Sequence, residues 1–264
     1  MLVAVAKSPL VLFHPILASG TIWQDVVPLL SDYHEVFTPN ALGHRGGPTV
    51  RHRPATIWDV VDAAETYLDE QGLSQPHLAG NSMGGFVALE LARRGRAATA
   101  CAISPGGFWS TGDGTRPHAS KALRTLVHLC RVSRPTAPLI FKSSFARRTS
   151  LRFLACARYG DRIPASQFVE IVDSILACTV GDEVFSADEQ QFVALHPAPW
   201  PVTVAWAEKD SLLPLHPCGA IACERLPAAT FEILPDVGHV PMVDDPKMVA
   251  RTILASTGAI PRQR

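Results

Sequence analysis

Charge is scarce in this sequence and neither sign prevails: charged residues make up 18%, with Lys plus Arg and Asp plus Glu each totalling 24. With no net charge and no basic stripe interleaved with aromatics, recognition of nucleic acid through its phosphates is not expected. Six cysteines are present (Cys101, Cys130, Cys156, Cys178, Cys218, Cys223) but no C-x-x-C pair, and no second Cys or His pair stands at zinc spacing. No metal site is therefore expected, and the thiols read as free and mostly buried. No apolar run reaches the roughly 18 uninterrupted residues that would suggest a membrane span. Residues Met1 to Gly20 are broken by Lys7, Pro9, His14 and Pro15 and lack the basic, apolar and small-residue regions of a signal peptide. The expectation is a cytoplasmic protein with no membrane partner; its oligomeric state is not legible.

What the chain does hold is apolar bulk: 47% of its 264 residues are hydrophobic, enough for a large core. Short Val-, Ile- and Leu-rich runs alternate with helical patterns, the signature of a mostly parallel sheet with helices on both faces, an α/β fold. The strands read as Pro9–Phe13, His34–Thr38, His77–Ala79, Ala98–Ser104, Val202–Trp206 and Thr230–Leu234. A helix is expected over Ile57–Glu70, where Val60, Val61, Ala64 and Leu68 recur at spacings of three and four before Gly72.

From Pro105 to Pro201 the alternation stops, and the residues read as helices Ser120–Val132, Ala146–Arg158, Ala165–Ala177 and Ala187–Leu195. This divides the chain into a core of residues 1–107 and 201–264 and a helical cap of residues 108–200, placed over the ends of the sheet as a lid. The cap is lopsided: Arg116 to Arg162 holds eleven bases against Asp161, whereas Ile163 to Trp200 holds six acids and no base. Either the two halves pack and partly neutralise each other, or each face is merely solvated, or some of these arginines meet an anionic substrate such as a carboxylate or a phosphorylated acyl carrier.

Gly80-Asn81-Ser82-Met83-Gly84 lies where a strand gives way to an amphipathic helix. A G-x-S-x-G turn this tight exposes its serine on a strained backbone and needs small neighbours, supplied by Gly80, Gly84 and Gly85. A serine hydroxyl is a weak nucleophile without a base and an acid to orient it. Asp210 follows one later strand and His239 another, and residues just beyond the carboxyl ends of parallel strands converge on one edge. Glu208 is a rival acid and His216 a rival base. His14 and His44 stand near strand ends, as pocket lining or structural histidines, while Phe108 and Trp109 are pocket wall or core.

Strand, G-x-S-x-G, helix, then acid, then histidine in that order resembles the α/β-hydrolase superfamily over almost the whole chain. His14-Pro15-Ile16 with Trp23 resembles that family's His-Gly-x segment and following tryptophan, and Asn40-Ala41-Leu42-Gly43-His44 resembles its D-x-x-G-H loop with Asn for Asp. The resemblance implies Ser82 as nucleophile, His239 as general base and acid, and Asp210 as the carboxylate that orients it. The backbone N–H groups of Met83 and Ile16 would form the oxyanion hole, Pro15 having no N–H to give. His14, Phe108 and Trp109 are the candidate substrate contacts, the substrate is a small molecule, and no cofactor or metal is implied. Ester or thioester cleavage is the default activity. Gly80-Asn81-Ser82-Met83-Gly84-Gly85 with Pro105-Gly106-Gly107 also resembles carbon–carbon bond hydrolases, although Val240 follows His239 where they carry Trp. A lyase or acyl-transfer enzyme using the same triad and a non-catalytic receptor stay open, whereas dehalogenases and epoxide hydrolases require Asp where Ser82 stands.

Overall fold

A computed structural model describes residues 7–110, 115–153, 156–186 and 200–261. The elements run β1 (Ser8–Phe13), α1 (Val27–Leu30), β2 (His34–Phe37), α2 (Ile57–Glu70), β3 (His77–Asn81), α3 (Met83–Arg93) and β4 (Thr99–Ile103). There follow α4 (Thr115–Ser133), α5 (Ala137–Ile140), α6 (Ser144–Phe153), α7 (Ala165–Ala177) and α8 (Gly181–Ser186). The chain then forms β5 (Val202–Ala207), α9 (Ala220–Arg225), β6 (Thr230–Leu234), α10 (Pro241–Asp244) and α11 (Pro246–Thr257).

All six strands pair in parallel in the order β2-β1-β3-β4-β5-β6. Strands buried on both faces need continuous apolar runs, and β4 and β5 are buried at every position. The chain leaves β1 toward β2 and then returns to the other side of β1 to form β3, so the connections diverge between β1 and β3. A crevice opens at such a switch point, beyond the carboxyl ends of the strands. α2 starts on a reciprocal cap between Thr56 and Asp59, and Gly72 at φ 68° turns the chain out of it.

Between β4 and β5 the described residues are helical, without a strand among them. α7 spans the expected residues, and α4 encloses the helix expected over Ser120–Val132. The helix expected over Ala146–Arg158 is shorter, because the N–H groups of Arg158 and Tyr159 donate to the Asp244 carboxylate (2.9 and 2.7 Å) and not to helix carbonyls. The helix expected over Ala187–Leu195 lies outside the described residues. Among the described residues no helix is long and apolar enough to cross a membrane. The thiols at 101, 130 and 218 are buried, but Cys223 is exposed.

The β3–α3 turn is as close as its glycines allow. A Cβ on Gly80 would stand 2.1 Å from the Gly84 carbonyl oxygen, and one on Gly84 would stand 2.1 Å from that of Phe13. Both obstacles are backbone and cannot swing aside. Gly80→Ala or Gly84→Ala is expected to cost at least about 4 kcal/mol, or to prevent folding, as read by urea denaturation. Gly85→Ala, whose added carbon first meets Pro105 at 3.0 Å, should cost distinctly less.

Candidate active site

Ser82 sits between β3 and α3 at φ 56° and ψ −116°, a conformation that non-glycine residues rarely adopt. Backbone bonds on both sides hold it there: its N–H donates to Ile103 O at 3.0 Å, and its carbonyl accepts from Phe86 and Gly106. The side chain projects at the N-terminal end of α3, where first-turn N–H groups, Met83's among them, have no intrahelical acceptor.

Asp210 and His239 meet as their positions after β5 and β6 predict. His239 Nδ1 donates to Asp210 Oδ2 at 2.7 Å, and both side chains are almost fully buried. Asp210 Oδ1 is also fixed, accepting from the N–H groups of Leu212 (2.9 Å) and Leu213 (2.8 Å). The carboxylate therefore caps its own turn and orients the imidazole at once. With the proton on Nδ1, His239 Nε2 carries the lone pair, and that nitrogen is buried without a hydrogen-bond partner. Ser82 Oγ and Nε2 are not hydrogen-bonded to each other in this structure. The two segments are tied through Asn81, the residue before Ser82, whose Nδ2 donates to the carbonyl oxygens of His239 and Ile103, both at 3.0 Å. The rivals point elsewhere: Glu208 accepts from Lys209 Nζ and the Asp236 N–H at the surface, and His216 is exposed.

His14 and His44 prove to be braces. His14 Nδ1 donates to Pro15 O (2.8 Å) and its Nε2 accepts from the Ala41 N–H (2.9 Å). His44 Nδ1 donates to Leu42 O (2.9 Å) and its Nε2 accepts from the Leu17 N–H (3.2 Å). Neither ring keeps a nitrogen for a ligand. Together they hold loop 14–18, including Leu17 at φ 66°, so that the Ile16 N–H is left without an acceptor among the described residues. Asn40, in the place of the expected Asp, supplies the oxygen that accepts from the Gly20 N–H at 2.7 Å. Of the two readings of His14 and His44, pocket lining and structural histidine, the hydrogen bonds give the structural one, and His14 is not a substrate contact.

Burial, then the facing His44, pushes the His14 pKa down to about 3, and burial lowers His44 as well. Unfolded histidines titrate near 6.5, so these pairs stabilise the fold fully above that pH. Below it the unfolded chain takes up protons that the folded protein refuses, and each such histidine removes about 1.4 kcal/mol per pH unit until its folded pKa is reached. A loss of at least about 2 kcal/mol is expected between pH 7 and pH 5 by urea denaturation. An unchanged midpoint would contradict the buried, neutral assignment.

Two small cavities share Ile16 as a wall. One of about 70 Å³ reaches His239 and is roofed by Leu123, Leu126, Leu151 and Ile175 from the helices between β4 and β5. The other, about 30 Å³, is lined by Ser82, Met83, Trp109, Val184 and Leu213. Phe108 is fully buried, edge-on to Trp206 with ring centroids 6.5 Å apart, which places it in the core beside the wall that Trp109 forms. A larger concavity, about 680 Å³, lies between loop 39–52 and α2, and neither Ser82 nor His239 lines it.

Among the described residues no basic side chain of the insert lines the cavities of Ser82 and His239. Arg134 pairs with Asp173 and Arg158 with Asp236, while Arg147 donates to the Phe141 and Lys142 carbonyls. Neutralisation between the two halves of the insert covers Arg134 with Asp173, whereas Arg158 is met by an acid of the core.

The epoxide hydrolase EphH of Mycobacterium tuberculosis is 26% identical over 202 residues, 74% of this chain and 91% of that protein. An esterase from Thermogutta terrifontis superposes with a TM-score of 0.64 at 21% identity, covering 94% of this chain and 88% of that one. The 2-hydroxy-6-oxo-6-phenylhexa-2,4-dienoate hydrolase of Rhodococcus sp. strain RHA1 does so with a TM-score of 0.71 at 17% identity, over 96% and 91%. At that identity the structural likeness carries the fold alone, but the family model for alpha/beta hydrolases matches residues 10–252, nearly the whole chain, and the protein belongs to that family as a hydrolase-type enzyme.

Proposed function

We propose that the protein is a serine hydrolase that cleaves the ester or thioester of a small to medium organic molecule through an acyl-enzyme on Ser82. The observation that carries this reading is the unpartnered His239 Nε2, held by Asp210 on a segment that Asn81 ties to the strained serine at a helix N-terminus. Ser82 Oγ attacks the acyl carbon as its proton passes to His239 Nε2, and the imidazolium so formed is stabilised by Asp210. The oxyanion receives the N–H groups of Met83 and Ile16, backbone donors of the kind that stabilise such charge with little reorganisation. His239 then gives its proton to the leaving oxygen or sulfur. Water, deprotonated by the same nitrogen, attacks the acyl-enzyme and releases the acid.

The apolar walls favour an apolar acyl group. Cavities of about 70 and 30 Å³ fall well below the roughly 300 Å³ at which ligand pockets begin. Residues 108–200 therefore act as a cap over the core of 1–107 and 201–264 and must shift to admit substrate. A fluorophosphonate probe is expected to label Ser82, with the adduct located by peptide mass analysis. Turnover in heavy-oxygen water should put one label in the released acid. Unlabelled acid from a working enzyme would instead indicate elimination or transfer to another nucleophile.

A further inference from the structure

Eight large apolar side chains are exposed among the described residues, and five of them fall between residues 129 and 145: Leu129, Val132, Leu139, Ile140 and Phe145. Such clustering at the α4–α5–α6 connection is not the scattered exposure normal for a protein surface. The connection is well anchored on its inner side. Ala137 and Phe141 are buried, the Phe141 ring lies 4.1 Å from that of Phe168, and the buried Arg147 donates to the carbonyls of Phe141 and Lys142. With 137 and 141 held inward, Leu139 and Ile140 are turned out.

Along the chain through this tip the charge has one sign, and Asp173 of α7, which meets it, is taken by Arg134. No Asp or Glu occurs from Thr115 to Gly160, in a chain whose acids and bases balance overall. Exposed Lys121, Arg131, Lys142 and Arg152 make no ion pair among the described residues, and Arg148 reaches only Asp161, at 3.7 Å. Apolar side chains flanked by unpaired cations are what an interfacial segment needs: the former enter the boundary of the acyl layer while the latter meet lipid phosphates.

We propose that this tip docks the protein on an anionic lipid surface, with Val132, Leu139, Ile140 and Phe145 entering the interface and Arg131, Lys142 and Arg152 meeting the headgroups. Phe145 and Leu139 are 77% and 72% exposed, so they protrude. A fluid lipid layer accepts protruding side chains of any shape, whereas a protein partner would need a matching socket. A second copy set face to face would bring Arg131 and Lys142 against their own equivalents with no acid between them. The expectation of no membrane partner rested on the lack of a spanning run, which bears on crossing a bilayer and not on resting against one. The docking is independent of the reaction at Ser82.

The intact protein is to be sedimented with vesicles of phosphatidylcholine mixed with phosphatidylserine, and with phosphatidylcholine alone. Binding to the mixed vesicles is expected to be at least about tenfold tighter and to weaken with salt. Each cation near such a surface contributes a factor of about five, so R131E/K142E should lose at least about 25-fold. L139S/I140S/F145S should lose at least about tenfold, and all five positions are exposed, so the variants keep the core intact. Equal sedimentation with both vesicle types, or unchanged binding by either variant, overturns the proposal. So does self-association of wild type abolished by L139S/I140S/F145S, which would make the tip an interface between copies. Binding to polyglutamate without binding to vesicles would assign it to an acidic protein and would equally overturn it.

Discussion

Replacing Ser82 by alanine is expected to lower kcat about a millionfold, roughly 8 kcal/mol in the barrier, while leaving the fold intact. The size of the effect follows from the chemistry: with Oγ gone, His239 has no alcohol to deprotonate, and the residual rate comes only from water acting in a site with an oxyanion hole. Alanine adopts the φ 56° backbone of this turn no more readily than serine does, so the elbow keeps its own hydrogen bonds to Ile103, Phe86 and Gly106. The measurement is single-turnover kinetics on an ester substrate, paired with loss of fluorophosphonate labelling. A Ser82→Ala protein with wild-type turnover would end the acyl-enzyme mechanism, while the fold and the family would stand.

Asp210→Asn should cost about ten thousandfold in kcat with little change in stability. Asp210 accepts three hydrogen bonds, and the substitution separates them. Asn Oδ1 keeps the N–H groups of Leu212 and Leu213, so the turn after β5 survives. The amide NH₂ then faces His239 Nδ1, where a carboxylate oxygen had accepted at 2.7 Å. To receive that donor the imidazole must move its proton to Nε2, and the nitrogen nearest the serine ceases to be a base. Asp210→Ala would lose both tasks together, so a stability deficit in alanine but not in asparagine separates the turn from the tautomer.

The elements and their order were legible because they depend on local pattern. Thr230–Leu234 and Ala165–Ala177 are strand and helix over the expected residues, since apolar period and flanking breakers bound each of them. Ser82 was legible for a related reason: a strand-to-helix turn tight enough to need glycine at 80 and 84 leaves its signature in three letters. The shortening of α6 was not legible. Asp244, more than eighty residues downstream, draws the N–H groups of Arg158 and Tyr159 out of a helix that their own neighbours favour. A structural role for His14 and His44 was one of the two readings the sequence offered, but their partners at Ala41 and Leu17 were hidden, being 27 residues away and belonging to the backbone, which has no side-chain letter.

By itself the sequence determined the parallel α/β architecture, the serine turn and the positions of an acid and a histidine after two later strands, all consequences of short-range periodicity and of where glycine is indispensable. Only the tertiary structure decided that Asp210 and not Glu208 reaches His239, that the Ile16 N–H has no acceptor among the described residues and that Leu129, Val132, Leu139, Ile140 and Phe145 face outward. Those outcomes depend on which atoms lie within about 3 Å after distant segments pack, and hydrogen bonding and burial at that range are properties of the assembled molecule.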